Sequence, residues 1–303
     1  MTVPATRPTR LIALMNQKGG VGKTTTTVNL SAAFARAGRR TLLVDLDPQA
    51  HASLHVGVDP DGVESSVYDV MLDPAFDVRS AIRVVSDNLS ILPAQTDMAA
   101  AESELSSEQD RFIRLRRALE SLGDTYEFVM MDCPPSLGLL TISGLAAARE
   151  VLIPMQAHFL ALQGVGKLLE TVTLVTGGIN PRLLVSGVIL CAHDPGTMHA
   201  REVVSDLDQF FDSARGKQVP WRHARVYRPA IRRNIKLAEC PSYGRTIFDY
   251  APEASGAVDY AALAGVLLAD WDAMLARQAD PSGTAVVVRE VGAGSGSTAE
   301  VRA

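Results

Sequence analysis

Gln17–Thr27 reads QKGGVGKTTTT. An apolar run, Leu11-Ile12-Ala13-Leu14-Met15, precedes it, and Thr25 to Ala37 follows with helical spacing and is ended by Gly38. Glycines thus stand between a predicted strand and a predicted helix. Gly19, Gly20 and Gly22 let the backbone turn tightly and present N–H groups to an anion, and the helix beginning near Lys23 adds the positive end of its dipole. In a loop of this kind Lys23 meets the β- and γ-phosphates of a nucleotide and the Thr24 hydroxyl ligates Mg²⁺. Gly19, Gly20, Val21, Gly22, Lys23, Thr24 and Thr25 are therefore the candidate nucleotide-binding residues.

The whole chain sets few limits of its own. Its 303 residues are 47% hydrophobic and 21% charged, the composition of an ordinary globular protein with room for a large core. The net charge of -5 excludes a chain that is basic throughout. Cys133, Cys191 and Cys240 lie far apart with no CxxC pair, which predicts neither a disulfide framework nor a zinc or cluster site and fits a reducing cytoplasm. No apolar run approaches the ~18 residues of a membrane span, and MTVPATRPTR has no signal-peptide core.

The strands of a parallel sheet should read as continuous apolar runs. Thr41–Leu46, Leu89–Leu92, Phe128–Met131, Glu150–Met155 and Leu183–Cys191 do so, with helices predicted over Val67–Leu72, Arg111–Leu122, Ser205–Phe211 and 256–277. Arg111, Arg114, Arg116 and Arg117 fall on one face of their helix, read as solvated. Two strands end in acids. Thr41–Leu46 leads into Asp45-Leu46-Asp47-Pro48-Gln49, two carboxylates at spacing two at the end of a strand, where open α/β sheets bind ligands. Asp47-Pro48 by itself also reads as a simple turn. Phe128–Met131 leads into Asp132-Cys133-Pro134-Pro135-Ser136, and an acid at this place is the sign of a second Mg²⁺-organising carboxylate in phosphate-loop nucleotidases. Cys133 reads as a small buried filler.

Positive charge collects late in the chain. After Arg215 and Lys217 come Arg222, Arg225, Arg228, Arg232, Arg233 and Lys236, with no Asp or Glu anywhere between 215 and 236. Such a segment attracts a polyanion, and its few aromatics, Trp221 and Tyr227, favour backbone contacts to duplex DNA over base stacking. A face serving solubility or a protein partner is the alternative.

The loop departs from the general GxxxxGK[ST] pattern, because Gln17 stands at the first glycine and Lys18 follows it. KGGVGKTT resembles the deviant phosphate-binding (Walker A) loop of the ParA/MinD family of ATPases, and VDLDPQA and DCPPS resemble its two switch segments. Ile231–Gly244, IRRNIKLAECPSYG, resembles that family's IPRNVRLAEAPSFG, with Arg232 for Pro and Cys240 for Ala. The resemblance covers roughly residues 10 to 270. It implies an α/β fold with a doubly wound, mostly parallel sheet, and an ATPase using ATP and Mg²⁺. Lys18 is then a catalytic residue reaching the partner subunit's nucleotide, with Lys23 and Asp47 as the other catalytic residues, Asp47 acting on the attacking water. Asp45 and Asp132 support Mg²⁺ through water, beside Thr24. Partners implied are a second copy in an ATP-dependent homodimer, double-stranded DNA bound without sequence preference, and a ParB-type centromere-binding protein that accelerates hydrolysis. The implied function is partition of a chromosome or plasmid, in the cytoplasm and on the nucleoid, with no membrane.

Two departures qualify this. His158 stands at a position where the family commonly has Glu, and is read as a surface or packing histidine. Gly196 stands where the family's DxRTxL motif has an arginine that helps bind DNA. Rival functions are a MinD-like membrane-associated positioning ATPase, a metal- or cluster-inserting ATPase, and a low-turnover DNA-binding regulator. The tail after Pro281 lacks the basic amphipathic helix of the first, and the missing cysteine pair disfavours the second. The expected organisation is a flexible arm at 1–9, one ATPase domain at 10–278 and a disordered tail at 279–303.

Overall fold

The structure, a computed structural model, describes residues 8–158, 161–194 and 196–279. It divides into two compact units, one ending at Val266 and the other beginning at Leu267. In chain order the first half contains β1 (Arg10–Leu14), α1 (Lys23–Arg36), β2 (Thr41–Asp45), α2 (His51–His55), α3 (Val67–Leu72), α4 (Val78–Ala81), β3 (Arg83–Ser86), β4 (Leu89–Leu92), α5 (Ala101–Glu104) and α6 (Arg114–Ser121). The second contains β5 (Phe128–Asp132), α7 (Leu139–Ala147), β6 (Glu150–Met155), α8 (Ala161–Gly178), β7 (Leu184–Leu190), α9 (Met198–Ala214), β8 (Arg225–Tyr227), α10 (Ile235–Glu239), α11 (Ile247–Tyr250) and α12 (Ser255–Ala279).

The strands form one sheet in the order β3-β4-β2-β5-β1-β6-β7-β8, parallel throughout except for the antiparallel β3–β4 pair at one edge. This is the expected doubly wound architecture. β1 lies between β5 and β6, so the chain order reverses beside it, and the loop after β1 opens into the crevice where such sheets bind ligands. Every residue of β2 and β5 is buried, which is why they read as unbroken apolar runs. α1 is covered on almost all sides, with Thr26 through Ala35 buried. Phe34 packs on Phe128 of β5 at 4.6 Å between rings, and the Asn29 side chain accepts from the N–H of Ile247 at the start of α11. Around Phe34, Leu30 and Val28, the Thr, Ser and Ala of α1 let neighbouring elements approach closely.

Several expectations are corrected in detail. β1 ends at Leu14, one residue short of the apolar run, and α1 begins at Lys23, two residues before the helical spacing that starts at Thr25. β3, β8 and the 18-residue α8 were not anticipated. β3 and β8 are short edge strands with weak apolar pattern, and α8 opens with glycines at 164 and 166 that dilute its periodicity. Thr9, placed in the flexible arm, donates to Tyr126 O at 2.8 Å; residues 1–7 and 280–303 of the expected arm and tail lie outside the described residues.

The helix expected over Arg111–Leu122 begins at Arg114, and Arg114 is not on a solvated face. Its side chain is buried and donates to Met71 O and Leu72 O at the end of α3, to Asp110 and to Glu108. It satisfies carbonyls that the end of α3 leaves without intrahelical donors. The guanidinium also holds the Asp110 carboxyl below the usual range. Arg114→Met keeps the volume and removes these donors, so it should cost about 2–4 kcal/mol, seen as a lower urea midpoint at unchanged m-value. A loss below ~0.5 kcal/mol would show that the clamp contributes nothing.

Candidate nucleotide site

The loop between β1 and α1 is held from the side by the segment after β6. Gln156 donates to Gly20 O at 3.1 Å, and Lys18 Nζ lies 2.8 Å from His158 Nε2. Asn16 ties the loop's root, donating to Pro154 O at 2.8 Å while its side-chain oxygen accepts from the N–H of Lys18. Gly22 caps α1 with φ +94, and a Cβ there would lie 3.2 Å from Cβ of Cys191, so the loop packs directly on the end of β7. Val21 is buried, Lys23 is 8% exposed, and Gly19 and Gly20 are open. The first turn of α1 carries amide groups without intrahelical acceptors, facing the side where an anion would sit.

The acids lie directly beside this loop. Asp45 and Asp132 are register partners on the adjacent strands β2 and β5, and both are fully buried. Asp132 accepts from Thr24 Oγ1 at 2.7 Å and from Thr27 Oγ1 at 2.8 Å. Asp45 accepts from the N–H and hydroxyl of Ser53 on α2, each at 2.8 Å, and from the N–H of Asp47. β2 stops at Asp45, so strand alternation, which would put residues two apart on one side, does not extend to Asp47. Asp45 turns inward, whereas Asp47 lies in the loop and its carboxylate accepts from the N–H of Gln49. Desolvation and the neighbouring Asp132 push Asp45 up to about 7. Desolvation likewise raises Asp132 to about 6, against the opposing bonds from Thr24 and Thr27 and the charge of Lys23.

Two cavities border the loop. The larger, about 740 Å³, is lined by Lys23, Thr24, Thr25, Asp47 and Gln49 together with Pro241 and Ser242. The smaller, about 420 Å³, is lined by Val21, Cys191, Ile231, Leu237, Ala238 and Tyr260. Gly20, Gly22 and Thr25 line both. Both cavities mix apolar and polar lining, the smaller one including Gln156, Arg232, Arg233 and Asn234, and their sizes lie in the usual range for small-ligand sites. Among the described residues no group of three or more His, Cys, Asp or Glu is placed to hold a metal alone. Thr24, Asp132 and Asp45 offer hard oxygens, and the two acids are buried side by side, which fits Mg²⁺ held jointly by a hydroxyl, water and phosphate.

Of the candidate residues, the loop, Asp45, Asp47 and Asp132 are brought together. Reading the residues did not single out Ser53 and Thr27, which hold the two acids, or Cys191 and Tyr260 behind the loop. Thr27 was legible as part of a threonine run on one helix turn, but no sequence signal marked Tyr260. His158 is the neighbour of Lys18. Cys133 is buried as expected, and burial pushes its thiol well up.

The basic segment is less concentrated in space than in sequence. Arg228 pairs with Asp208, Arg232 with Asp259 and Lys236 with Glu239, each at 2.7–2.8 Å. The acids come from outside the segment, which is why its sequence looks unopposed. Arg225 stacks over Tyr227 on the edge strand β8, Arg222 donates to His223, and Arg233 is exposed. Gly196 has its N–H bonded to Asp194 and supplies no charge at that place.

The raised carboxyls set a pH dependence. Asp45 at about 7 and Asp132 at about 6 lie above their ordinary 3.8, so the folded chain binds more protons than the unfolded one between these values, and stability falls as pH rises through that window. His55, which burial lowers to about 4, acts in the opposite sense. The informative quantity is therefore the difference from Asp45→Asn without ligand: wild type should lose melting temperature relative to the variant from pH 5 to pH 8. A constant difference would remove the buried charge at Asp45 from the account.

Three comparisons bear on identity. The description of an AAA domain matches residues 9–185. The sporulation initiation inhibitor protein Soj of Bacillus subtilis is 43% identical over 84% of this chain and 96% of its own length; the chromosome partitioning protein ParA of Myxococcus xanthus is 39% identical over 86% and 88%. Among solved structures, a Mycobacterium smegmatis protein described as cobyrinic acid a,c-diamide synthase, with bound ATP analogue and magnesium, is 36% identical with a TM-score of 0.74 over 88% of this chain and 97% of its own. The septum site-determining protein MinD of Pyrococcus horikoshii, complexed with Mg-ADP, is 25% identical with a TM-score of 0.65 over 86% and 96%. With the phosphate loop, both aspartate-ended strands and the sheet order in place, the chain belongs to the Soj/ParA family of chromosome-partitioning ATPases.

Proposed function

We propose that this chain hydrolyses ATP with Mg²⁺ to control its own attachment to DNA, and so partitions a chromosome or plasmid in the cytoplasm, on the nucleoid. The observation that carries this is the adjacency of the nucleotide cavities and the arginine-rich segment, since Arg232 and Arg233 border the cavity that the phosphate loop also lines. Lys23 and the amides of Gly19 to Thr25 bind the phosphates, and Thr24, Asp45 and Asp132 hold the metal directly or through water. Mg²⁺, when bound, neutralises phosphate charge. Asp47 orients the attacking water, and Lys18, leaving His158, reaches the nucleotide of a second copy packed face to face. Dimerisation sums weak phosphate contacts from Arg222, Arg225, Arg228, Arg232, Arg233 and Lys236, so that ATP state governs DNA affinity. A ParB-type protein accelerates hydrolysis and release. Ion pairs at Arg228, Arg232 and Lys236 must loosen or be shared for these contacts, which makes exposed Arg233 the principal one.

The deciding measurement is duplex-DNA binding by the purified chain without nucleotide, with ADP and with ATP. Binding is expected with ATP alone; equal binding in all three arms points to a DNA-binding regulator, and none in any arm, with liposome binding in ATP, to a membrane-associated ATPase. Lys23→Ala should abolish nucleotide binding, and Asp47→Ala should hold the chain on DNA with ATP unhydrolysed. Normal turnover in the second variant would exclude Asp47 from the mechanism. Arg233→Glu should weaken binding equally for all DNA sequences and lower the salt slope by about 0.9 for each DNA phosphate that is no longer neutralised.

A further inference from the structure

The arginine-rich segment also has an inward face. Ile231, Leu237 and Ala238 form part of the smaller cavity, and Pro241 and Ser242 form part of the larger one, which Thr24 and Thr25 also line. One stretch of chain thus runs along both cavities. Its helix, α10, has only five residues, too few to be stable by itself, so its order depends on what it packs against.

The far end of the stretch is tied to the loop that carries Asp47. From Asp47 and Gln49 the chain enters α2, and Gly57 closes that helix with φ +80, its N–H bonded to Leu54 O at 3.0 Å. Gly244 ends the 240–243 turn with φ +59. A Cβ on Gly244 would lie 2.9 Å from Gly57 Cα, and one on Gly57 would lie 3.1 Å from Gly244 O. Two backbones in direct contact leave no side chain that could swing aside, so a shift of one displaces the other by excluded volume. Leu54 and His55 line the larger cavity on the α2 side of this contact, and His55 is 1% exposed with Nε2 unpartnered. The joint therefore lies beside the larger cavity, which the phosphate loop lines, and Ile231, Leu237 and Ala238 lie along the smaller one.

We infer that nucleotide occupancy sets the conformation of Ile231–Gly244 within a single subunit, through the wall of the smaller cavity on one side and the Gly57–Gly244 contact on the other. A ligand shifts a conformation only by making different contacts in its two forms, and a nucleotide touching both ends of this stretch makes such contacts. Neither a second subunit nor DNA is needed for this step. The inference rests on reading the two cavities as one nucleotide site, and not on the DNA-binding reading.

Hydrogen exchange of the full chain tests it, at a concentration where light scattering shows a monomer, without nucleotide, with Mg-ADP and with Mg-ATP. Mg-ADP should slow exchange roughly tenfold both at 17–25 and at 231–244. Gly244→Ala, whose Cβ would drive the turn from Gly57, should keep the slowing at 17–25 and lose it at 231–244. If that variant does not fold, Gly57→Ala, whose Cβ would meet Gly244 O at 3.1 Å from the α2 side of the same contact, should give the same split. Slowing at 17–25 with none at 231–244 in the wild type overturns the inference, as does slowing at 231–244 that appears only with ATP-induced dimers. No slowing in either stretch overturns the nucleotide site itself.

Discussion

Two carboxylates, Asp45 and Asp132, face one another at the ends of adjacent buried strands, and much of the molecule is arranged around that cost. Two like charges held side by side away from solvent are costly: burial and the charge of Asp132 raise Asp45, and burial raises Asp132. The surrounding donors relieve part of the cost. Thr24 and Thr27 come from α1, Ser53 from α2, and the Asp47 amide from the loop between β2 and α2. The acid pair is thus a junction of α1, β2, α2 and β5, and a bound cation would replace hydroxyl donors with a full charge. A single substitution at Asp132 would release the first turn of α1 from β5 and alter the phosphate loop without touching it.

The same edge of the sheet gathers everything else of interest because parallel strands put all their C-terminal loops on one side. The loops after β1, β2, β5 and β6 converge there, and the stretch after β8 closes the crevice. The arginine-rich stretch therefore has two environments. Outward, Arg215, Arg228, Arg232 and Lys236 are matched by acids of α9, α10 and α12; inward, its apolar residues form part of a cavity wall. Surface ion pairs are individually weak. Polyanion phosphates could compete for these arginines at little cost, so matched charge does not by itself remove them from a binding face.

The strands that carry the site were legible in sequence because burial on both faces leaves unbroken apolar runs, and the acids stood out by interrupting them. Glycines and Lys23 marked the loop for a similarly local reason. What sequence reading missed was non-local. Arg114 looked like one more solvated arginine because the carbonyls it serves belong to α3, and Asp208, Asp259 and Glu239 were invisible as partners because all lie outside the segment they neutralise. β8 escaped notice for a different reason: a three-residue edge strand carries too little alternation to be seen. Local chemistry was readable, whereas charge balance required the fold.

The near-complete burial of α1 separates two kinds of constraint that the phosphate-loop pattern mixes together. From Thr26 to Ala35 the helix is buried throughout, so each side chain, small like Ala32 or large like Phe34, is fitted to a closed space whatever the chain does with a nucleotide. Lys18 is exposed and supports no packing. A descendant that had lost ATP turnover would still be obliged to keep the buried residues of the helix and would be free to lose Lys18. Persistence of the helix composition in such a chain would record only that it still folds, and the fate of one surface lysine would say more about whether it still works.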